Sequence, residues 1–206
     1  MGFTIEVPPI MMRPTSGFIR TIGFLVLIFS LAAIRPVFAH GDLNLNVSDR
    51  AARVSFGTDL TSSGLEGSLG YFIHTGRGSA ADAGLSLVAN ANPGGHPIRV
   101  GLGARALLVD ASIIHKSAAV LGLGASVNTT WIGYNRLGVG GHVYYAPQVT
   151  SFGAARSYLE YEARVEYYLL RHGMVYLAYR HIGVSFAGVP TLTLDSGLNV
   201  GFRISF

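Results

Sequence analysis

Apolar and polar residues alternate one by one along most of the chain after residue 40. Between Arg156 and Leu169 the odd-numbered positions are mostly aliphatic or aromatic, whereas the even-numbered positions carry five charged side chains. An α-helix would spread these charges around its circumference, but a β-strand places them all on one face. This segment is therefore predicted to be a strand with one apolar and one charged face.

The same alternation returns in further segments, which are separated by clusters of Gly, Pro, Asn, Asp and Ser. It predicts ten strands, at residues 42–48, 51–60, 65–74, 82–90, 98–109, 117–127, 135–145, 156–169, 173–183 and 194–206. No segment after residue 40 holds 18 consecutive apolar residues, which excludes helical membrane spans there.

Strands that are apolar on one face and charged on the other are typical of a barrel with lipid outside and polar side chains inside. The expected fold is all-β, a transmembrane antiparallel up-and-down β-barrel of ten strands, because an even number returns both ends to one side of the membrane. Eight strands remain possible if the short first pair forms one irregular edge. Loops after odd-numbered strands, at 75–81, 110–116, 146–155 and 184–193, are expected to face outward.

The first 39 residues have the layout of a secretory signal peptide. Arg13 and Arg20 precede an apolar run at 21–34, and Val37 and Ala39 are the small residues that a signal peptidase needs before its cut. The run is too short for a typical spanning helix, although an uncleaved anchor is the alternative. We therefore expect a signal peptide at 1–39, with translation starting at Met11 or Met12, and an outer-membrane β-barrel at 40–206.

Composition narrows the chemistry. The chain has no cysteine, so disulfides, thiolate metal sites and cysteine nucleophiles are excluded. A net charge of +4, scattered along 206 residues, does not form the basic stripe of a nucleic-acid-binding protein. No two histidines fall at ligand spacing on one strand face, so no metal site is expected. We expect no cofactor and no nucleic-acid partner.

A local motif resembles a known family. The stretch from Tyr144 to Gly153 is followed by a segment that contains Tyr158, Glu160 and Tyr161. It resembles the Tyr-Tyr-(Ser/Ala)-Pro strand end, Ser-rich loop and Tyr-x-Glu strand of the YfaZ family of small outer-membrane proteins. The resemblance implies a small, porin-like β-barrel of the Gram-negative outer membrane without a defined substrate. The residues of the motif loop are Tyr144, Tyr145, Ala146, Pro147, Ser151, Phe152 and Gly153.

The charged face is the most informative candidate site. The charged residues opposite the aliphatic face, which include Asp59, are numerous. Their density predicts a network that fills a narrow lumen. Two interpretations stay open: a weakly cation-excluding polar path, or ion pairs that prop the barrel and conduct nothing. The second is favoured because ten strands enclose little more than eight, whose interior only side chains fill. The predicted lumen charge network comprises Arg53, Glu66, Arg99, Arg105, Arg136, Glu160, Glu162, Arg164, Glu166, Arg180 and Arg203.

The chain is not expected to be an enzyme. The alternative is an outer-membrane barrel enzyme that acts on lipid or peptide at the rim, with a histidine beside a convergent serine and carboxylate. His142 and His74 are the candidates, but neither lies in a recognisable hydrolase motif. The sequence therefore assigns no catalytic residue.

The C-terminus carries a predicted assembly signal. Phe202, Ile204 and Phe206 lie on one face of the last segment, and a terminal aromatic residue on an amphipathic strand is a signal for outer-membrane assembly. The expected partners are the barrel assembly machinery and periplasmic chaperones during biogenesis, and then outer-membrane lipids. The expected location is the outer membrane of a Gram-negative cell.

Overall fold

The computed structural model describes residues 40–92, 97–131 and 133–206. The predicted signal peptide at 1–39 lies outside the described residues. None of the helices in the described part of the chain is long and apolar enough to cross a membrane. The strands are β1 Gly41–Val47, β2 Ala51–Asp59, β3 Leu65–His74, β4 Gly78–Ala91, β5 Ile98–Ala111, β6 Lys116–Trp131, β7 Tyr134–Ala146, β8 Ser151–Gly153, β9 Ala155–Leu170, β10 Gly173–Phe186 and β11 Val189–Ser205.

Ten of these strands form a closed antiparallel ring. Each pairs with the next in the order β1 to β7 and then β9, β10 and β11, and β1 pairs with β11 to close the barrel. The short β8 pairs with the upper part of β6, outside this ring. The prediction of ten strands is therefore confirmed, and the eight-stranded alternative is wrong.

The outer surface of the ring is apolar. Val165 on β9, Leu177 on β10 and Val200 on β11 are each more than half exposed and lie beside one another. Their inward neighbours on the same strands are buried, and on β9 these neighbours, Arg164 and Glu166, are charged, as the alternation predicts. Aromatic rings lie at the upper limit of this surface, where Tyr161 stacks on His181 with ring centroids 5.1 Å apart.

Both described ends of the chain lie at the same end of the barrel. The connections at 60–64 and 171–172 lie there too, as do the strand ends Ala91, Ile98, Trp131 and Tyr134, and we call this end the turn end. The opposite end, the loop end, holds the connections after β1, β3, β5, β7 and β10. Only one of these, at 147–154, is longer than four residues.

The predicted long loops are wrong in three places. The connections are shorter than predicted: strand residues take up part of the segments 75–81 and 110–116 and most of 184–193, so that the connections are 75–77, 112–115 and, between β10 and β11, Ala187 and Gly188. Gly188 has φ of 75°, which a glycine adopts without strain. The strands continue beyond the apolar outer face because, near the loop end, their inward side chains become apolar and pack against one another.

At the loop end the lumen is filled by apolar side chains. On β10 the inward positions change from Tyr176 and Arg180 to Ile182, Val184 and Phe186, all three of which are buried. A bulge in β11 contributes to this change. The pairing skips Leu194, so that Leu194 and the adjacent Asp195 both point inward and are buried. We call this group of residues the apolar plug: Phe72, Leu107, Val109, Val120, Tyr144, Tyr158, Ile182, Val184, Phe186 and Leu194.

Candidate functional site: the charged lumen

Directly below the apolar plug, one carboxylate joins side chains from across the barrel. Glu160 on β9 accepts hydrogen bonds from Arg53 Nη1 at 2.7 Å and from Arg105 Nη1 at 3.1 Å. It also accepts one from the Tyr158 hydroxyl, and His142 Nε2 lies 3.2 Å from its Oε1. Since β2, β5 and β9 lie on different sides of the ring, this Glu160 cluster bridges the lumen.

Asp82 on β4 completes the Glu160 cluster. Its Oδ2 accepts a hydrogen bond from Arg53 Nη2 at 2.8 Å, and its Oδ1 lies 3.5 Å from Arg105 Nε. The Arg105 guanidinium also lies over the Tyr144 ring, 3.9 Å from its centroid. The cluster thus holds two guanidinium groups and two carboxylates in contact with aromatic residues of the apolar plug.

A second group of ion pairs follows the inward face of β9 toward the turn end. Arg164 donates from Nε to Glu166 at 2.5 Å and from Nη1 to Glu162 at 3.3 Å. Its Nη2 donates to Asn128 Oδ1 at 2.7 Å, and the Tyr168 hydroxyl donates to Glu166. The alternating charges of β9 therefore pair along their own strand, two residues apart.

A third group lies between β1, β10 and β11. Arg180, which is fully buried, donates two hydrogen bonds to Asp195 Oδ2, at 2.9 and 2.7 Å, and one to Asn46 Oδ1 at 2.9 Å. Asn46 in turn donates to Asn199 and to the Tyr176 hydroxyl. Every polar group in this set is used by a neighbour, as buried polar groups require.

Inward glycines make room for the larger polar side chains. A Cβ on Gly201 would lie 2.1 Å from the Tyr176 ring, and one on Gly140 would lie 2.2 Å from Asn128 Oδ1. Glycine in these strands allows a neighbouring side chain to lie flat against the backbone. The abundance of glycine in the chain thus has a structural cause inside the barrel.

The remaining predicted residues lie near the turn end and are less enclosed. Glu66 pairs with Arg99, whose side chain is 47% exposed. Arg203 has Asp42 Oδ2 3.7 Å from its Nε. Arg136 is exposed and no ion pair is seen for it among the described residues. The structure therefore groups nine of the eleven predicted residues around paired charges inside the lumen or at its mouth, and it leaves Arg136 outside and Arg203 without a hydrogen bond to a described residue.

A polar cavity of about 170 Å³ lies in the lumen between the Glu160 cluster and the turn end. Its wall includes Asn44, Asn46, Arg180 and Tyr176 on one side and Ser55, Ser68 and Ser86 on another, with Arg203 and Asp42 toward the mouth. We call this space the vestibule.

Several lumen residues were missed by the sequence analysis. Asp82 was placed at the first position of its predicted strand, and Asp195 lies beside a bulge that the alternation does not reveal. Asn46 and the tyrosines of the lumen are uncharged, so a search for charge does not find them. Their common signal is an inward position next to a charged inward residue on the paired strand.

The motif loop is anchored at the loop end. Tyr144 and Ala146 are buried, Tyr145 is exposed on the outer face, and the Pro147 carbonyl accepts a hydrogen bond from Ser151 Oγ at 2.9 Å. Residues 151–153 form β8, in which Phe152 faces outward and Gly153 has φ of 72°. This connection therefore folds back onto the rim and pairs with β6.

The C-terminal residues close the ring. Phe202 and Ile204 face outward, and the backbone of Phe206 exchanges two hydrogen bonds of 2.8 Å with Gly41. The Phe206 ring stacks on Phe56 with centroids 6.3 Å apart. Its role in assembly stays a prediction.

The histidines have no hydrolase arrangement in the described part of the chain. His142 pairs with Glu160, and His74 Nδ1 is buried at the loop end without a hydrogen-bond partner. No serine hydroxyl hydrogen-bonds to either ring among the described contacts, and no group of three or more His, Asp or Glu among these residues is placed to hold a metal.

The chain matches one family of known proteins over most of its length. A family model described as "YfaZ precursor" matches residues 22–206. A search of the curated proteins found no match.

Two porins and one outer membrane channel are among the similar solved structures. The KdgM porin in complex with disordered oligogalacturonate is 13% identical, with a TM-score of 0.42, over 82% of this chain and 99% of that one. The NanC porin is 9% identical, with a TM-score of 0.35, over 81% and 97%. The outer membrane channel DcaP of Acinetobacter baumannii is 10% identical, with a TM-score of 0.34, over 82% and 62%. The ten-stranded ring itself rests on the strand pairings of this chain.

Proposed function

The chain belongs to the YfaZ family, and from this premise we propose that it is a small, porin-like barrel of the outer membrane whose lumen is closed at the loop end. The apolar outer face of a closed ring supports the membrane location, because a barrel leaves no unpaired strand edge in the hydrocarbon. Its polar interior would be the wrong arrangement for a barrel dissolved in water, whose core must be apolar.

One observation carries the closed state: the apolar plug fills the loop end of the lumen, and the Glu160 cluster bridges it just below. Val184 and Leu194 in the plug are fully buried, as is Glu160. An ion on this path would have to displace packed apolar side chains and then separate paired charges, both of which cost free energy. We therefore favour the ion-pair interpretation of the charged face over the conducting path.

Conductance in planar bilayers tests this proposal. The purified barrel is expected to insert without producing steady current steps, with insertion checked independently by its circular dichroism in vesicles. A variant that removes the two largest apolar side chains of the plug, Phe72→Ala with Phe186→Ala, lowers the first of the two barriers and is expected to conduct more than the unmodified protein. Steady, ion-selective steps from the unmodified protein would show that the lumen is open.

The barrel is proposed to have a structural or binding role rather than an enzymatic one. His142, the best-placed histidine for an enzyme at the rim, lies below the apolar plug and is engaged by Glu160. A rim enzyme needs a base that substrate can reach. Release of fatty acid or peptide from outer-membrane substrates by the purified protein would contradict this assignment.

The signal peptide completes the proposal. Val37 and Ala39 place the cut between Ala39 and His40, one residue before β1 begins at Gly41. N-terminal sequencing of the protein from outer-membrane fractions is expected to begin at His40. Retention of residues 21–34 would favour the uncleaved anchor.

A further inference from the structure

The vestibule contains one guanidinium group that no protein acceptor uses. Arg203 Nε is buried without a hydrogen-bond partner, and no hydrogen bond joins the group to another described residue. The Asp42 carboxylate, 3.7 Å from Nε, is beyond hydrogen-bond distance. The Arg203 side chain lines the vestibule, so the donors it presents there are those of Nη1 and Nη2, which hydrogen-bond to no described residue, whereas the buried Nε is closed to a ligand.

Each of the other four arginines that line the vestibule donates a hydrogen bond to a carboxylate, Arg105 to Glu160 at 3.1 Å. Arg53, Arg164 and Arg180 each donate to at least one carboxylate at 2.9 Å or less. The charge of Arg164 also repels Arg203, so that this part of the wall holds two cations of which only one is paired within hydrogen-bond distance. Among the arginines that line the described wall of the vestibule, Arg203 is thus the one that donates no hydrogen bond to a neighbouring residue, although Arg105 Nε also lacks a partner.

Hydroxyl groups cover another part of the same wall. Ser55, Ser68 and Ser86 line the vestibule, and among the described contacts none of these three hydroxyls is hydrogen-bonded to another residue. A serine hydroxyl can donate one hydrogen bond and accept two, so this row suits a ligand that itself carries hydroxyl groups. Unlike the arginine, it does not select for charge.

We propose that the vestibule binds a small hydroxylated carboxylic acid, with its carboxylate on Arg203 and its hydroxyl groups toward the serine row. A guanidinium matches a carboxylate in two parallel hydrogen bonds, which gives both strength and orientation. The vestibule has a volume of about 170 Å³ and is open at one end, so a ligand of a few carbons has room in it. The inference rests on the proposed closure of the lumen, because the ligand then enters and leaves by the turn end.

Equilibrium dialysis of the purified barrel in detergent micelles against radiolabelled glycerate tests the proposal. Glycerate is expected to bind at one site, and glycerol, in which a hydroxymethyl group replaces the carboxylate, is expected not to compete. Propionate keeps the carboxylate of glycerate but lacks both hydroxyl groups, and it is expected to compete only weakly. Competition by propionate as strong as that of unlabelled glycerate would show that the serine row is not used and would overturn the assignment to a hydroxylated acid.

Variants locate the site. Arg203→Gln is expected to weaken glycerate binding by at least about tenfold, the size of a charge-assisted hydrogen bond. Arg136→Gln makes the same change of net charge at an exposed position outside the vestibule and is expected to leave binding unchanged. Equal loss in both variants, or no saturable binding to the unmodified barrel, would overturn the inference. Current steps in bilayers would instead overturn the closed lumen, and with it the entry of the ligand by the turn end, whereas the dialysis alone decides whether glycerate binds at Arg203.

Discussion

Glu160 has the most demanding environment of any charged residue described in this barrel. Its carboxylate is fully buried and contacts two arginines, a histidine and a tyrosine. A buried ion pair contributes little net stability relative to apolar packing, but removing one partner leaves the other charge uncompensated. The loss of Glu160 therefore costs far more than the pairs contribute.

Glu160→Gln is expected to destabilise the barrel by about 3 to 5 kcal/mol, because Arg53 and Arg105 would then share only Asp82. Urea-induced unfolding in lipid vesicles measures this change. Glu66→Gln is the matched control. Its side chain and that of Arg99 are 26% and 47% exposed, and the expected loss is about 0 to 1 kcal/mol.

Glu162→Gln separates a filled lumen from an aqueous one. Glu162 is buried and has one described ion pair, with Arg164, which keeps Glu166 as a second partner. The expected loss therefore lies between those of the other two variants. Equal and small effects of all three would mean that water screens the lumen charges.

Charge alternation predicted the inward positions of β9 but not the side-chain contacts that these residues make across the lumen. Glu160, Glu162, Arg164 and Glu166 fall on the inward face that the sequence indicates. The sequence does not reveal that Glu160 reaches Arg53 on β2, because side-chain length and barrel diameter decide that contact. Arg136 occupies a position that the alternation predicts to face inward, but it is exposed. It lies near the start of β7 at the mouth of the barrel, where a side chain can turn to solvent.

At the level of strands, the two faces exchange their chemistry near the loop end. On β9 to β11 the outward residues change from aliphatic side chains to Ser157, Ser185, Thr191 and Thr193, while the inward residues become the apolar plug. This is the pattern of a barrel that leaves the hydrocarbon and continues in water. The apolar outer face alone predicted that the tenth strand starts at residue 194 and that its neighbour ends at residue 183, whereas β10 continues to Phe186 and β11 begins at Val189.

Two arginine substitutions on the same face of β9 locate the upper limit of the membrane. Val165→Arg, at a position 55% exposed on the apolar surface, is expected to cost about 2 to 4 kcal/mol. Ser157→Arg, eight residues closer to the loop end, is expected to cost about 0 to 1 kcal/mol, since it lies above the hydrocarbon. Folding into vesicles measures both. Equal costs would place Ser157 inside the membrane and contradict the change of environment.

At the scale of the whole molecule, the alternation of strand direction determines that the number of strands is even and that both described ends lie at one end of the barrel. The even number of strands was predictable, because each segment of alternating residues must cross the ring once. The offset at the closing seam was not predictable: β1 pairs with β11 only over Val200 to Ser205, although β11 begins at Val189. Because the β1–β2 hairpin is short, the part of β11 nearest the loop end has no partner in β1. There Arg77 donates a hydrogen bond to the Thr193 carbonyl.

The same topology predicts which end faces outward. Both described ends of the chain lie at the turn end, and outer-membrane barrels keep short turns in the periplasm and longer loops outside. The longest connection of the described part, at 147–154, is at the loop end. The apolar plug would then close the barrel from the outside, and the vestibule would open to the periplasm.

Single cysteines test this orientation without background, because the chain contains no cysteine of its own. Val149→Cys introduces a thiol at a loop-end position that is 83% exposed, and His172→Cys introduces one at an exposed position of the turn end. A maleimide reagent that does not cross the outer membrane is expected to label the first variant in intact cells and the second only after lysis. Labelling of His172→Cys alone in intact cells would reverse the orientation and make the vestibule an external site.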